Sequence, residues 1–310
     1  MKTHLVSFST PQYRLSQKRL EASALKFGID ELHSFTEKSL KKSNFYKEHY
    51  TIFKQPRGFG YWLWKPYYIL ETLKKIDTGD VVLYVDAGNE VISNLQPLFD
   101  LCLHQDIVLF QVHTHKNKTW TKRDAFIGLE CDEPKYYEAE QILGSPQLYR
   151  ANEKSIEFVS TWLSYCQNIH LLTDLPNMLG EDNLPDFKDH RHDQSVLSLL
   201  ALKRSVEIYR DPSQWGNNFS ESFSKSLATL VRVEPKKWNS LRFPFQPVVV
   251  IPFGLSFSHE NLSNLELSLT VSTQTSHISM VSLISKLKFL IKSSKTLCPN
   301  SLILEEPNTL

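Results

Sequence analysis

The sequence predicts an α/β fold, a mostly parallel sheet flanked by helices over residues 1–239, followed by an extension over residues 240–310. Three observations carry this. The chain opens strand-then-helix at its N-terminus, as nucleotide-binding α/β domains often do. Residues 81–85 form a continuous apolar, β-branched run, the mark of a strand buried on both faces of a parallel sheet. Further short apolar runs, at residues 107–110 and 206–209, alternate with stretches of helical periodicity.

Taken in order, residues 4–8 read as the first strand. Residues 16–27 read as a helix with Leu20, Ala24 and Phe27 on one face. Residues 51–65 are aromatic and punctuated by glycine. Pro66 then suits the first turn of a helix whose apolar face is Ile69, Leu70, Leu73 and Ile76. Asp77-Thr78-Gly79-Asp80 is a turn before the 81–85 strand, which ends at Asp86. Residues 147–149 read as a short strand. Asn152 caps a helix carrying Ile156, Val159, Leu163 and Cys166. The polar loop 177–189 delivers His190-Arg191-His192-Asp193-Gln194-Ser195 to a helix with Val196, Leu197, Leu199 and Leu200, and residues 206–209 close the sheet.

Composition excludes several classes. Hydrophobic residues at 41% and charged residues at 22% exclude wholesale disorder and collagen-like or coiled-coil architecture. Lys+Arg 35 against Asp+Glu 34 gives a formal charge of +1, without the basic excess of a nucleic-acid binder. Cys102, Cys131, Cys166 and Cys298 form no CxxC pair and read as buried thiols in a reducing compartment. Residues 1–9 contain no apolar signal-peptide core, and the apolar stretch 248–257 is interrupted by Pro252 and Gly254. The expected location is cytoplasmic. A basic amphipathic pattern over residues 277–295, with Lys286, Lys288, Lys292 and Lys295, adds a candidate peripheral contact with an anionic inner-membrane face. The alternative is a helix packed on the main domain with solvated lysines.

Two stretches concentrate chemistry. The first is Arg57-Gly58-Phe59-Gly60-Tyr61-Trp62-Leu63-Trp64-Lys65-Pro66, followed after its helix by Tyr84-Val85-Asp86-Ala87-Gly88-Asn89. An acid at the carboxyl end of a buried strand lies where open α/β sheets place ligands, and Gly88 beside it permits close approach. Asp86 also reads as an ordinary turn residue. Lys65 before a helix N-terminus suits phosphate, or is simply solvated. Tyr61, Trp62 and Trp64 suit stacking on a base or sugar, or the core. The second stretch is residues 190–195, where histidine and aspartate suit acid–base or metal chemistry. Asp193 in a first helical turn is favoured by the helix dipole whatever its role. His113 and His115 form an HxH pair after the 107–110 run, and residues 120–124 are a candidate lid. Gly58-x-Gly60 lacks the third glycine and the strand-to-helix context of a dinucleotide fingerprint, and no Walker A, GxSxG or HExxH sequence occurs.

A lysine before a helix, then a strand ending Tyr-x-Asp-x-Gly at Tyr84, Asp86 and Gly88, resembles the GT-A-fold glycosyltransferases, whose Rossmann-type sheet binds nucleotide-sugar donors. Residues 60–66 and 190–195 look most like bacterial transferases that build capsule or lipopolysaccharide glycans, and the resemblance spans residues 4–210. It implies hexosyl transfer from a nucleoside diphosphate sugar, UDP favoured, to a hydroxyl of a glycan or lipid-linked glycan. It implies Mg²⁺ or Mn²⁺ on the donor diphosphate, with Asp86 as the first metal acid, His192 (or His190) as a late ligand or diphosphate contact, and Gly88 standing where a second acid is expected. Arg57, Lys65, Asp86, Gly88, Asn89 and Gln194 are then donor contacts, and Asp193 is the base or a sugar contact. Two other readings stay open. One is a metal-dependent phosphohydrolase on His113, His115, His190, His192 and Asp193. The other is a non-catalytic nucleotide- or glycan-binding protein.

Overall fold

The computed structural model describes residues 1–213, 216 and 231–233, all within the unit Met1–Arg242. The boundary expected at residue 239, the basic pattern of residues 277–295 and Cys298 lie outside the described residues.

The fold is α/β. A seven-stranded mixed sheet has the order β2-β1-β3-β7-β5-β6, with β8 beside β5. Its strands are β1 (Thr3–Ser9), β2 (Glu31–Thr36) and β3 (Val81–Tyr84). They continue with β5 (Ile107–Lys116), β6 (Glu140–Ile142), β7 (Gln147–Arg150) and β8 (Ile208–Arg210), while β4 (Asn89–Val91) pairs separately with β9 (Val231–Val233). β1 is parallel to β2 and β3, and β5 to β8; β7 runs antiparallel between β3 and β5.

The uninterrupted apolar character of β1 and β3 follows from burial on both faces. Side chains alternate across a strand. Val6, Phe8, Val82 and Tyr84 join one apolar cluster, and Leu5, Val81, Leu83 and Val85 join the other. Helix α1 (Arg14–Lys26), through Leu20 and Ala24, and α3 (Gln96–Leu101), through Leu98 and Phe99, cover the second cluster. Helices α2 (Trp64–Leu73), α4 (Glu153–Gln167) and α5 (Asp193–Lys203) cover the first. Asn152 caps α4 by accepting the Ser155 amide at 2.9 Å. Among the described residues no helix is long and apolar enough to cross a membrane.

Some local expectations change. The strand expected at residues 107–110 continues through Lys116, so His113 and His115 lie within it. Lys65 lies inside the first turn of α2 rather than before it. Residues 120–124 do not form a free lid. Lys122 and Asp124 are buried, the Lys122 amide donates to His190, and Asp124 accepts the Met178 and Leu179 amides. Cys102, Cys131 and Cys166 are buried free thiols.

The glycine-punctuated approach to α2 has a specific geometry. Gly58, Phe59, Gly60, Tyr61 and Trp62 all have positive φ, so the single turn Gly58–Tyr61 winds left-handed. A non-glycine residue in this conformation costs roughly 1–2 kcal/mol. Surrounding contacts hold it: Trp64 Nε1 donates to the Gly58 carbonyl at 3.0 Å, and the Gly60 amide to Gln55 at 3.0 Å. The glycines are sterically required. A Cβ on Gly58 would lie 2.3 Å from the Trp62 ring, and one on Gly60 would lie 2.9 Å from the Phe53 backbone. Gly60→Ala is therefore expected to lose about 1–3 kcal/mol or more of stability in denaturant unfolding. Gly88→Ala, where a Cβ meets nothing within 4 Å, should stay within about 0.5 kcal/mol of wild type. Equal losses in both variants would refute the steric argument.

Candidate functional site

The two stretches that concentrate chemistry lie against each other in matching order. Arg57 pairs with Asp189, Tyr61 and Trp62 pack on His192, and Lys65 pairs with Asp193. At the end of this seam Lys65 Nζ lies 2.9 Å from Asp193 Oδ2, and both side chains are only 3% exposed. The same ammonium donates to the Gly144 carbonyl at 3.1 Å and lies 3.8 Å from Asp86 Oδ1. Thus the acid after β3 and the acid opening α5 meet through one lysine. Burial pulls the Lys65 ammonium down, but the charges of Asp193 and Asp86 outweigh it and leave its pKa above the ordinary lysine value. Burial pushes the Asp193 carboxyl up to about 6, against the pull of Lys65. The Asp193 carbonyl also accepts from Trp162 Nε1 at 3.0 Å, which fixes the start of α5 on α4.

Asp86 is the member of this group that reaches solvent, with 44% exposure. Oδ1 accepts from the Tyr84 hydroxyl, while the described residues give Oδ2 no hydrogen bond. The Asp86 amide donates to Ser145 Oγ at 2.9 Å, and Asn89 Nδ2 donates to the same oxygen at 3.2 Å. Ser145 Oγ, accepting twice, keeps its own proton free to donate. Gln194 Nε2 donates to Gln141 Oε1 at 3.1 Å, and Gln141 in turn donates to the Trp120 carbonyl at 3.2 Å. A Cβ on Gly144 would meet Lys65 Nζ at 3.2 Å and Gln194 Oε1 at 3.5 Å, so the loop from β6 to β7 closes tightly over the lysine. Gly88, half-buried beside Asp86, has open space above it.

Arg57 and His192 belong to a second group, around Asp174. Arg57 contacts Asp189 at 2.5 Å and Asp174 at 3.1 Å. His192 Nδ1 faces the Leu172 carbonyl at 2.8 Å, and its Nε2 faces Asp174 at 3.7 Å. His190 accepts the Lys122 amide and, through Nε2, donates to the Leu171 carbonyl at 2.9 Å. Burial lowers both imidazoles, His190 well below the ordinary value and His192 to about 4. They are neutral packing residues that bind the start of α5 to residues 169–172. Arg57, expected as a donor contact, and His192, expected as a metal ligand, are thus engaged with Asp189, Asp174 and the Leu172 carbonyl. Trp64 and Tyr61 are buried in the core, Trp64 stacked on Phe8 at 4.0 Å.

These facts test the metal expectation. Asp86 is one carboxylate that reaches solvent, Gly88 supplies no ligand side chain, and Asp193 is occupied by Lys65. The donor set fits a hard divalent cation only where a ligand's phosphates complete the coordination, a mode Mg²⁺ commonly adopts. The five residues of the phosphohydrolase reading are not gathered. Among the described residues they appear in no cluster of metal-ligating side chains, and His115 Nδ1 contacts the His113 carbonyl instead.

Sequence reasoning missed Gly144 and Ser145, and gave Tyr84 no role beyond its place in the motif. The signal available was Gly144-Ser145-Pro146, a turn immediately before the 147–149 strand. No protein-family model matches the chain, and no curated protein matches it. Among solved structures, that of mouse xyloside xylosyltransferase 1 in its apo form is similar over 76% of this chain and 98% of that chain, with a TM-score of 0.43 and 11% identity. At that level the likeness carries no functional inference, and the site is argued from its own geometry.

Removing one partner of a buried ion pair leaves the other charge uncompensated, at a cost of about 3–5 kcal/mol. Lys65→Met and Asp193→Leu are each expected to lose that much in urea unfolding. The double variant should regain a large part of the summed loss. Additive losses would show that the two groups do not interact.

Proposed function

We propose that this chain is a glycosyltransferase that takes a sugar from a nucleoside diphosphate donor. The observation that supports this best is Asp86: a half-exposed carboxylate at the carboxyl end of β3, where α/β sheets place ligands, backed by a buried cation. The motif resemblance adds the substrate classes: a hexose donor with UDP as first choice, and a hydroxyl of a glycan or lipid-linked glycan of the capsule or lipopolysaccharide kind as acceptor.

In this reading Asp86 organises the donor. Lys65, buried at 3% exposure, does not touch it. It is a positioning residue that holds Asp86 from behind, and Asp193 balances its charge. Asp193 is accordingly not the base for the acceptor hydroxyl, because a carboxyl buried against Nζ has no path to a bound acceptor. Ser145 offers a hydroxyl donor, and Gln194 an amide, to sugar or phosphate oxygens beside Asp86. Transfer breaks the bond from the anomeric carbon to the diphosphate, which leaves as the nucleoside diphosphate, and forms one to the acceptor oxygen, whose proton passes to solvent water. A divalent cation shared by Asp86 and the diphosphate would supply charge to the leaving group.

A panel of UDP- and GDP-sugars, assayed for transfer and for donor hydrolysis, tests the proposal. Asp86→Asn should fold normally and lose about 100-fold or more in turnover, the scale of one preorganised electrostatic group. Full activity in that variant would sink the assignment. Donor binding by calorimetry without turnover on any acceptor or added cation would instead make this a binding protein.

The Asp193 carboxyl also predicts a pH dependence. Below about pH 6 it takes up a proton, Lys65 loses its partner, and the support for Asp86 weakens. Turnover should therefore rise with pH through an acid limb centred near 6, and Asp193→Asn should lack that limb. A wild-type profile flat from pH 5 to 7 would remove Asp193 from this role.

A further inference from the structure

A second constellation lies at the other end of the sheet. In the parallel pairing of β1 with β2, His4 is opposite Glu31 and Val6 is opposite His33. Glu31 and His33, two residues apart, project from one face of β2 beside His4. His4 Nδ1 lies 3.1 Å from His33 Nε2 and 3.6 Å from Glu31 Oε2, and one ligand atom from each residue falls within 4.8 Å of the others. Ligands bound at about 2.0–2.1 Å to a tetrahedral zinc ion stand roughly 3.3–3.4 Å apart. The separations of 3.1 Å and 3.6 Å lie on either side of that edge.

The surroundings also suit a metal. His4 Nε2 is 3.2 Å from Asp80 Oδ2, and Asp80 accepts the Lys2 amide at 2.6 Å. An outer carboxylate that takes one imidazole N–H fixes the tautomer and turns the other nitrogen's lone pair toward the ion. His4 Nδ1 is then the ligating atom, and it is the one facing His33 and Glu31. Lys2 Nζ occupies only Glu31 Oε1, at 2.7 Å, leaving Oε2 toward the histidines.

We propose that His4, His33 and Glu31 bind a zinc-class divalent transition-metal ion, with Asp80 as outer carboxylate, clipping the edge strand β2 to β1. Two imidazoles and one carboxylate favour zinc, cobalt, nickel or copper over magnesium or calcium. Three protein ligands leave a fourth position for water on the exposed Glu31 side. The site lies at the amino ends of β1 and β2, whereas Asp86 follows the carboxyl end of β3, so it stands independently of the glycosyl-transfer reading.

The test uses the full chain, stripped with chelator and dialysed. Calorimetric titration with Zn²⁺ should show one equivalent per chain, and Co²⁺ should give the intense visible bands of tetrahedral coordination. Zinc should raise the melting temperature of the wild type. His33→Asn and Glu31→Gln, at half-buried and exposed positions of the edge strand, should fold with unchanged circular dichroism, lose the stoichiometric uptake and show no zinc-dependent rise. Asp80→Asn should weaken binding about 10- to 100-fold. Asp86→Asn should bind zinc like the wild type. Absence of uptake by the wild type, uptake undiminished in His33→Asn, or loss confined to Asp86→Asn would each overturn the proposal.

Discussion

The buried pair of Lys65 and Asp193 is the contact on which the site depends. A charge at 3% exposure is tolerated only with a partner, so wherever the lysine goes an acid must follow. That requirement ties the first turn of α2 to the first turn of α5, elements separated by more than half of the described chain. It also draws in the loop from β6 to β7, because the ammonium needs the Gly144 carbonyl as a further acceptor. Asp86 is the last group reached, and the only acid of the set facing water. The pair thus converts two distant stretches of sequence into one support for a single surface carboxylate.

The left-handed turn explains how the lysine arrives there. The chain entering α2 reverses its local winding over Gly58–Tyr61, with further strain at Trp62. His192, immediately before Asp193, is also in a positive-φ conformation. Strain of this kind persists where surrounding contacts over-determine it. Here those contacts are mutual: the Tyr61 and Trp62 rings pack on the His192 ring. Each strained segment braces the other, and the ion pair follows directly after both. The histidines therefore belong to the scaffold, although residues 190–195 looked chemically rich in sequence.

This accounts for what the sequence discloses and what it conceals. The apolar runs of β1 and β3 are legible because burial on both faces leaves no room for polar alternation. Asp86 is legible because it ends such a run. The antiparallel insertion of β7 between β3 and β5 is concealed: a four-residue strand carries no sign of its direction or partner. The role of Gly144 is hidden for a related reason, since its contribution is a backbone carbonyl that no residue type announces. The contacts of His192 and Arg57 are concealed because a histidine or arginine has the same letter whether it faces a ligand or a neighbouring carbonyl or acid. Asp193 and Asp86 come together on one lysine, but the burial of Asp193 is invisible in sequence.

The two ends of the sheet then divide their work by physical necessity. At the carboxyl ends of the central strands the chain must present charge to solvent, which asks for a rigid frame beneath Asp86. β1 is the neighbour of β3 on one side, and β2 is the sheet's edge beyond it. Among the described residues the edge strand has only β1 as a ladder partner, and it is largely half-exposed, so it is the part of this layer held least by burial. Its side chains compensate with polar cross-strand contacts: Lys2 to Glu31, His4 to His33, and His4 to Asp80 at the foot of β3. These contacts run across β2, β1 and the start of β3 in one line. Anything that tightens them, a metal ion included, stiffens the strand from whose far end Asp86 projects.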